Sequence, residues 1–133
     1  MAEAFTGVSP YARAWLHVGT VTIEGTKMAK SAGNLVLLDD LLADHPAAAV
    51  RLMILARYWA DGWDYTPALL DAVAARLENL YHAAGRATSA RPDAVAEIRR
   101  LLGADLNVAA ALDLAIETGG APARIVATTL GLD

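Results

Sequence analysis

Lys27 and Lys30 stand three residues apart in the polar stretch Glu24-Gly25-Thr26-Lys27-Met28-Ala29-Lys30-Ser31-Ala32-Gly33-Asn34. Glycines flank the pair, and a serine and an asparagine close the stretch. A loop of this kind brings ammonium groups and backbone N–H donors to a polyphosphate and stabilises charge that moves during phosphoryl or nucleotidyl transfer. The spacing by itself supports anion binding and nothing narrower. Taken alone, a solvated loop whose lysines serve solubility is an equal alternative.

The flanking elements must position such a loop. Trp15 to Ile23 alternates apolar and polar residues and predicts a strand, bent at Gly19, with Glu24-Gly25 as a turn signal. After the loop nearly everything predicts helix. Asp39-Asp40 caps a short helix over 40–44, and His45-Pro46 opens a second over 46–60, apolar on more than one face and stopped by Asp61-Gly62. Trp63 to Tyr65 reads as a linker. Thr66-Pro67 starts a long amphipathic helix over 67–86, with Leu69, Leu70, Val73, Leu77, Leu80 and Tyr81 at helical spacing. A break over 87–92 precedes a helix over about 92–102, with Arg99 and Arg100 outward. Asn107 then caps a helix to about Ile116, and Ala121-Pro122 opens a last one to Leu130. The expected fold class is mainly α: a short β element and the loop over 1–36, then a bundle of four or five helices over 37–133.

Composition narrows the function classes. The chain has 133 residues, 56% of them hydrophobic and 6% aromatic, which suits one folded domain and not a disordered segment. No apolar run is long enough to span a bilayer and no basic-then-apolar leader opens the chain, so a cytoplasmic protein is the default expectation. Without cysteine there is no disulfide or thiolate chemistry, and His17, His45 and His82 lack metal-ligand spacing. A formal net charge of −4 disfavours a free-standing nucleic-acid binder, leaving room only for a small basic patch near Arg51, Arg57, Arg99 and Arg100.

Lys27-Met28-Ala29-Lys30-Ser31 closely resembles the Lys-Met-Ser-Lys-Ser signature of class I aminoacyl-tRNA synthetases. Ala4-Phe5-Thr6-Gly7, Trp15-x-His17-x-Gly19 and Gly33-Asn34-Leu35-Val36 resemble the branch that holds cysteinyl-tRNA synthetase and the mycothiol cysteine ligase. The resemblance is ordered over residues 4–36 and weaker to residue 116. It implies a half-site for ATP, with Mg²⁺ in the full enzyme. Lys30 is assigned to the ATP phosphates, Lys27 as a second cation and Ser31 as a hydroxyl donor. His17, Gly19 and Met28 are assigned to the lining of the nucleotide site, although a packed strand histidine explains His17 equally well. Ala29 departs from the family's serine, removing a hydroxyl while leaving both charges.

In that family a His-x-Gly-His element and a zinc site lie upstream of the matching segment, so the chain is expected to lack both and to be catalytically incomplete alone. Two kinds of partner follow from the resemblance: a complementary N-terminal half or a second copy, and an acceptor that is tRNA or an amino sugar. The competing expectation is a non-catalytic relative that serves as an interaction or assembly module, or binds tRNA acceptor stems.

Overall fold

The computed structural model describes residues 2–87 and 91–133. A short helix α1 (Ala2–Thr6) leads through an exposed segment to β1 (Val21–Ile23), which turns back into β2 (Thr26–Lys27). Helices α2 (Leu38–Asp44) and α3 (Ala47–Leu55) follow, then β3 (Trp63–Asp64). Four helices complete the chain: α4 (Pro67–Ala84), α5 (Ala94–Gly103), α6 (Val108–Thr118) and α7 (Ala121–Leu130). The protein is mainly α, as expected.

The three strands form one sheet in the order β2-β1-β3, antiparallel between β1 and β2 and parallel between β1 and β3. The core belongs to the helices. Leu52 and Met53 of α3, Leu70, Leu77 and Leu80 of α4, Ile98 of α5, Leu112 of α6 and Val126 of α7 are buried together, with Leu132 behind them. On α4 the buried positions Leu70, Val73, Leu77 and Leu80 recur every three or four residues, the stripe that an amphipathic helix turns inward. Among the described residues no helix is long and apolar enough to cross a membrane.

Several expected boundaries hold because side-chain chemistry fixes them locally. Thr66 caps α4, its hydroxyl accepting from the Leu69 N–H at 3.2 Å, with Pro67 in the first turn. Asn107 does the same for α6, accepting from Ala110 N–H at 3.2 Å. Losing an N-cap oxygen of this type costs about 1 kcal/mol. Thr66→Ala is therefore expected to lower the melting temperature by about 4 °C in a scanning-calorimetry comparison.

Other expectations need correction. Only Val21–Ile23 of the predicted strand is regular; ahead of it Gly19 and Thr20 still bond the chain at Trp59 and Trp63, while Trp15, Leu16 and Val18 are exposed. Asp39 and Asp40 lie in the first turn of α2 and cap nothing; the residue at the cap is Leu37, without a side-chain bond. Helix α3 stops at Leu55, five residues before the expected end at Ala60. The reason is tertiary: Trp59 gives its carbonyl to the Gly19 N–H at 2.9 Å, and its indole N–H to Asp105. Trp63 and Asp64 are not linker but strand. Helix α5 begins at Ala94, and of the break expected over 87–92, residues 88–90 lie outside those described.

Candidate anion-binding loop

The hairpin that carries the loop has the register Thr22↔Lys27 and Ile23↔Thr26, leaving Glu24 and Gly25 as its two turn residues. Both have positive φ, 50° and 74°. Two consecutive left-handed residues make the hairpin turn whose twist matches the flanking strands. Gly25 adopts that conformation freely and Glu24 at a cost. The turn is held from outside: one Asp64 carboxylate oxygen accepts from the Thr22 hydroxyl at 2.6 Å and from the Gly25 N–H at 3.0 Å. The Thr22 hydroxyl first, and then the Gly25 N–H, hold the Asp64 carboxyl below the usual carboxylate range.

That shift fixes a pH dependence. An acid whose pKa is depressed by folding adds stability that is complete above its unfolded value and disappears as pH falls through its folded one. The Asp93 carboxylate beside Arg91 and the Glu97 carboxylate beside Arg100 are depressed as well. Melting temperatures are therefore expected to be unaffected by these three groups between about pH 8 and 5, and to fall below about pH 4.

Beyond the hairpin, Met28 donates its N–H to the Val21 carbonyl at 3.0 Å. Asn34 then clamps the loop across its mouth. Its side-chain oxygen accepts from the Ala29 N–H at 3.0 Å and its amide donates to the Lys27 carbonyl at 3.2 Å. Between these points Lys30–Ala32 form one tight turn that ends on Gly33 in the left-handed region. Lys27, Lys30 and Ser31 are exposed, while Met28 and Ala29 are half-buried. Neither lysine has an ion-pair or hydrogen-bond partner for its ammonium group among the described residues. A braced backbone that presents two solvated cations without an internal counter-ion can accept an anion with little reorganisation. The Ala29 N–H, being bonded to Asn34, is not among the donors available to a ligand.

The other anticipated site residues have different surroundings. His17 is exposed and stacks on Trp15, ring centroids 6.5 Å apart. Gly19 leaves no room for a side chain, since a Cβ there would lie 1.9 Å from the Asp61 carbonyl oxygen, and it also borders the apolar groove that Met28 lines. Met28 lines an apolar groove of about 650 Å³ between the sheet and the bundle, facing residues such as Val21, Val36, Met53 and Leu106. On its wall Arg57 lies 3.9 Å over the Trp63 ring and donates to the Met53 carbonyl; burial lowers its pKa. Tyr58 donates to Asp105 at 2.9 Å. Asp105 is thus the acceptor for two aromatic side chains, while the cap of α6 is Asn107 alone.

The basic patch considered around Arg51, Arg57, Arg99 and Arg100 does not present four free cations. Arg51 donates to the Leu130 carbonyl, and Arg100 pairs with Glu97 at 2.6 Å. Among the described residues no group of three or more His, Asp or Glu side chains is placed to hold a metal ion.

Sequence reasoning named the cations but missed what supports them. Asn34 could have been found, since an asparagine closing a short glycine-flanked loop commonly bonds nearby backbone. Asp64 left no such signal, lying 39 positions from Gly25 and 42 from Thr22.

Comparison with known proteins bears on these residues. Residues 1–75 match the family described as tRNA synthetases class I (C) catalytic domain. An L-cysteine:1D-myo-inositol 2-amino-2-deoxy-alpha-D-glucopyranoside ligase from Streptomyces avermitilis is 42% identical over 84% of this chain and 28% of its own length. The protein of the same name from Thermobispora bispora is 40% identical over 82% of this chain and 27% of its own. That from Kocuria rhizophila is 40% identical over 92% and 30%. The chain therefore spans less than a third of the length of these relatives.

Proposed function

The chain belongs to the family of class I (C) tRNA synthetase catalytic domains, and from that premise we propose that it carries the ATP-phosphate side of a cysteine-activating ligase. The observation that supports this most is the clamped loop with its two exposed ammonium groups. In the proposed reaction a carboxylate oxygen of cysteine attacks the α-phosphorus of ATP. The bond to the bridging oxygen breaks, and pyrophosphate leaves with the electron pair. Lys30 and Lys27 hold the β- and γ-phosphates and stabilise the charge that gathers on the leaving group, while Ser31 donates its hydroxyl. Mg²⁺ bound to the triphosphate would neutralise part of the same charge.

The acyl group of the adenylate then passes to the amine or hydroxyl of an acceptor: the new acyl bond forms as the acyl–phosphate bond breaks, AMP leaves with the electron pair and the nucleophile's proton passes to solvent. The names of the relatives favour an amino-sugar glycoside over tRNA. The net charge of −4 favours it too, since binding a nucleic-acid backbone draws on positive charge. Adenylate formation needs the nucleotide gripped from both sides. The other side, and the pocket for cysteine, would be supplied by further sequence of the same protein or by another chain.

A second reading is a non-catalytic relative acting as an interaction module. Ala29 in the place of the family's serine favours it, as does the exposure of Phe5 (93%) and Trp15 (79%).

Calorimetric titration with Mg²⁺–ATP, at low and moderate salt, tests the first reading. Binding that weakens with salt supports a phosphate half-site. No binding at millimolar ATP, and no ATP-dependent ligation of cysteine when the rest of the ligase sequence is supplied, overturns it in favour of the second.

A further inference from the structure

The hairpin bearing Lys27 should not hold its shape unaided. Strand β2 is two residues long, and an isolated two-stranded hairpin is marginal in water. Its turn also places Glu24, a residue with a Cβ, in the left-handed region. Yet Lys27 must be held in place if its cation is to meet a phosphate.

Strand β3 supplies the missing restraint. Thr22 stands opposite Lys27 on one side and opposite Asp64 on the other, so Lys27, Thr22 and Asp64 form one row across the sheet. Residues in such a row share a face. The Asp64 oxygen gathers the Thr22 hydroxyl from the middle strand and the Gly25 N–H from the turn. Hydrogen bonds to an ionised acceptor are roughly twice as strong as neutral ones. Strand β3 in turn runs through Tyr65 and the Thr66 cap into α4, the longest helix of the bundle.

We propose that Asp64 is the positioning residue of the lysine loop, fixing the Glu24–Gly25 turn to the helical bundle so that Lys27 and Lys30 are presented in one arrangement. It does not touch the anion. The proposal rests on the phosphate reading of the loop for its purpose but not for its geometry, and the experiment separates the two.

Amide hydrogen exchange by NMR is compared in wild type, Asp64→Ala and Asp64→Asn, with inorganic tripolyphosphate affinity measured well below each melting temperature. In Asp64→Ala, exchange at Gly25 and Ala29 should rise about tenfold or more while amides of Leu77 and Leu112 are unchanged. Asp64→Asn, which keeps an acceptor oxygen, should stay within about threefold of wild type. The tripolyphosphate Kd should rise about tenfold in Asp64→Ala and recover in Asp64→Asn, a pattern that general destabilisation does not produce. Should Asp64→Ala fail to fold, Thr22→Val removes one of the two donors with little change of shape and should raise the same exchange about threefold.

Equal loop exchange in wild type and Asp64→Ala overturns the proposal. So does a rise that the bundle amides share, or an Asp64→Asn variant no better than Asp64→Ala. If the exchange pattern holds but wild type binds no tripolyphosphate, the positioning role stands and the phosphate reading fails.

Discussion

Lys30→Ala is expected to weaken ATP binding by about 10- to 30-fold while leaving the melting temperature within about 1 °C of wild type. The two halves of that expectation come from one observation. Lys30 is exposed and its ammonium has no partner among the described residues, so folding gains little from it. A charge-assisted bond to phosphate is worth about 1.5–3 kcal/mol, discounted here because the site is open to water. Raising salt should shrink the difference between wild type and variant, since both lose the long-range part of the attraction. Calorimetric titration at two salt concentrations checks this. A variant that binds ATP as tightly as wild type would remove Lys30 from the site.

Gly19→Ala is expected to destabilise the fold by about 3 kcal/mol or more, lowering the melting temperature by about 10 °C. The added Cβ would meet the Asp61 carbonyl oxygen at 1.9 Å and the Gly62 nitrogen at 2.5 Å. Both are backbone atoms and cannot swing aside as a side-chain tip does. Relief requires the Trp59–Trp63 segment to move, and that segment takes the Gly19 N–H on Trp59 and gives the Trp63 N–H to Thr20 at 3.0 Å. Strand β3 would be displaced with it, so the Asp64 contact to the loop should suffer too. Urea unfolding at 25 °C measures the first effect. A stability within about 0.5 kcal/mol of wild type would show that the close approach is not maintained in solution.

The sequence announced the features that are local. Helix α7 runs from Ala121 to Leu130 as expected, because Gly119 and Gly120 break the preceding helix and Pro122 fits a first turn. Thr66 and Asn107 bond to amides three residues on, and their type and place already say so. The two lysines of the loop were legible for the same reason. What was hidden is what depends on distant chain. Nothing near Ala56 says that α3 must stop; Gly19, forty positions earlier in approach to Trp59, decides it. Asp64 looked like part of a connector, since its partners Thr22 and Gly25 are remote in sequence. Gly19 was expected as a lining residue and does border the groove that Met28 lines; its second duty, leaving room for the Asp61 carbonyl, was hidden because that neighbour lies far along the chain.

The buried core begins at Ala49, and none of the described residues before it is buried. In thermal terms this divides the chain unequally. The heat capacity of unfolding follows the apolar surface withdrawn from water, and the stretch from Ala49 onward holds almost all of it. The increment should match that stretch, roughly 1.2 kcal/mol/K, and not the roughly 1.8 kcal/mol/K typical of the full length. The segment that carries the lysines adds little latent heat of its own. Whatever surface later covers Phe5, Trp15 and Val18 would leave its own calorimetric mark, a negative heat-capacity change on association.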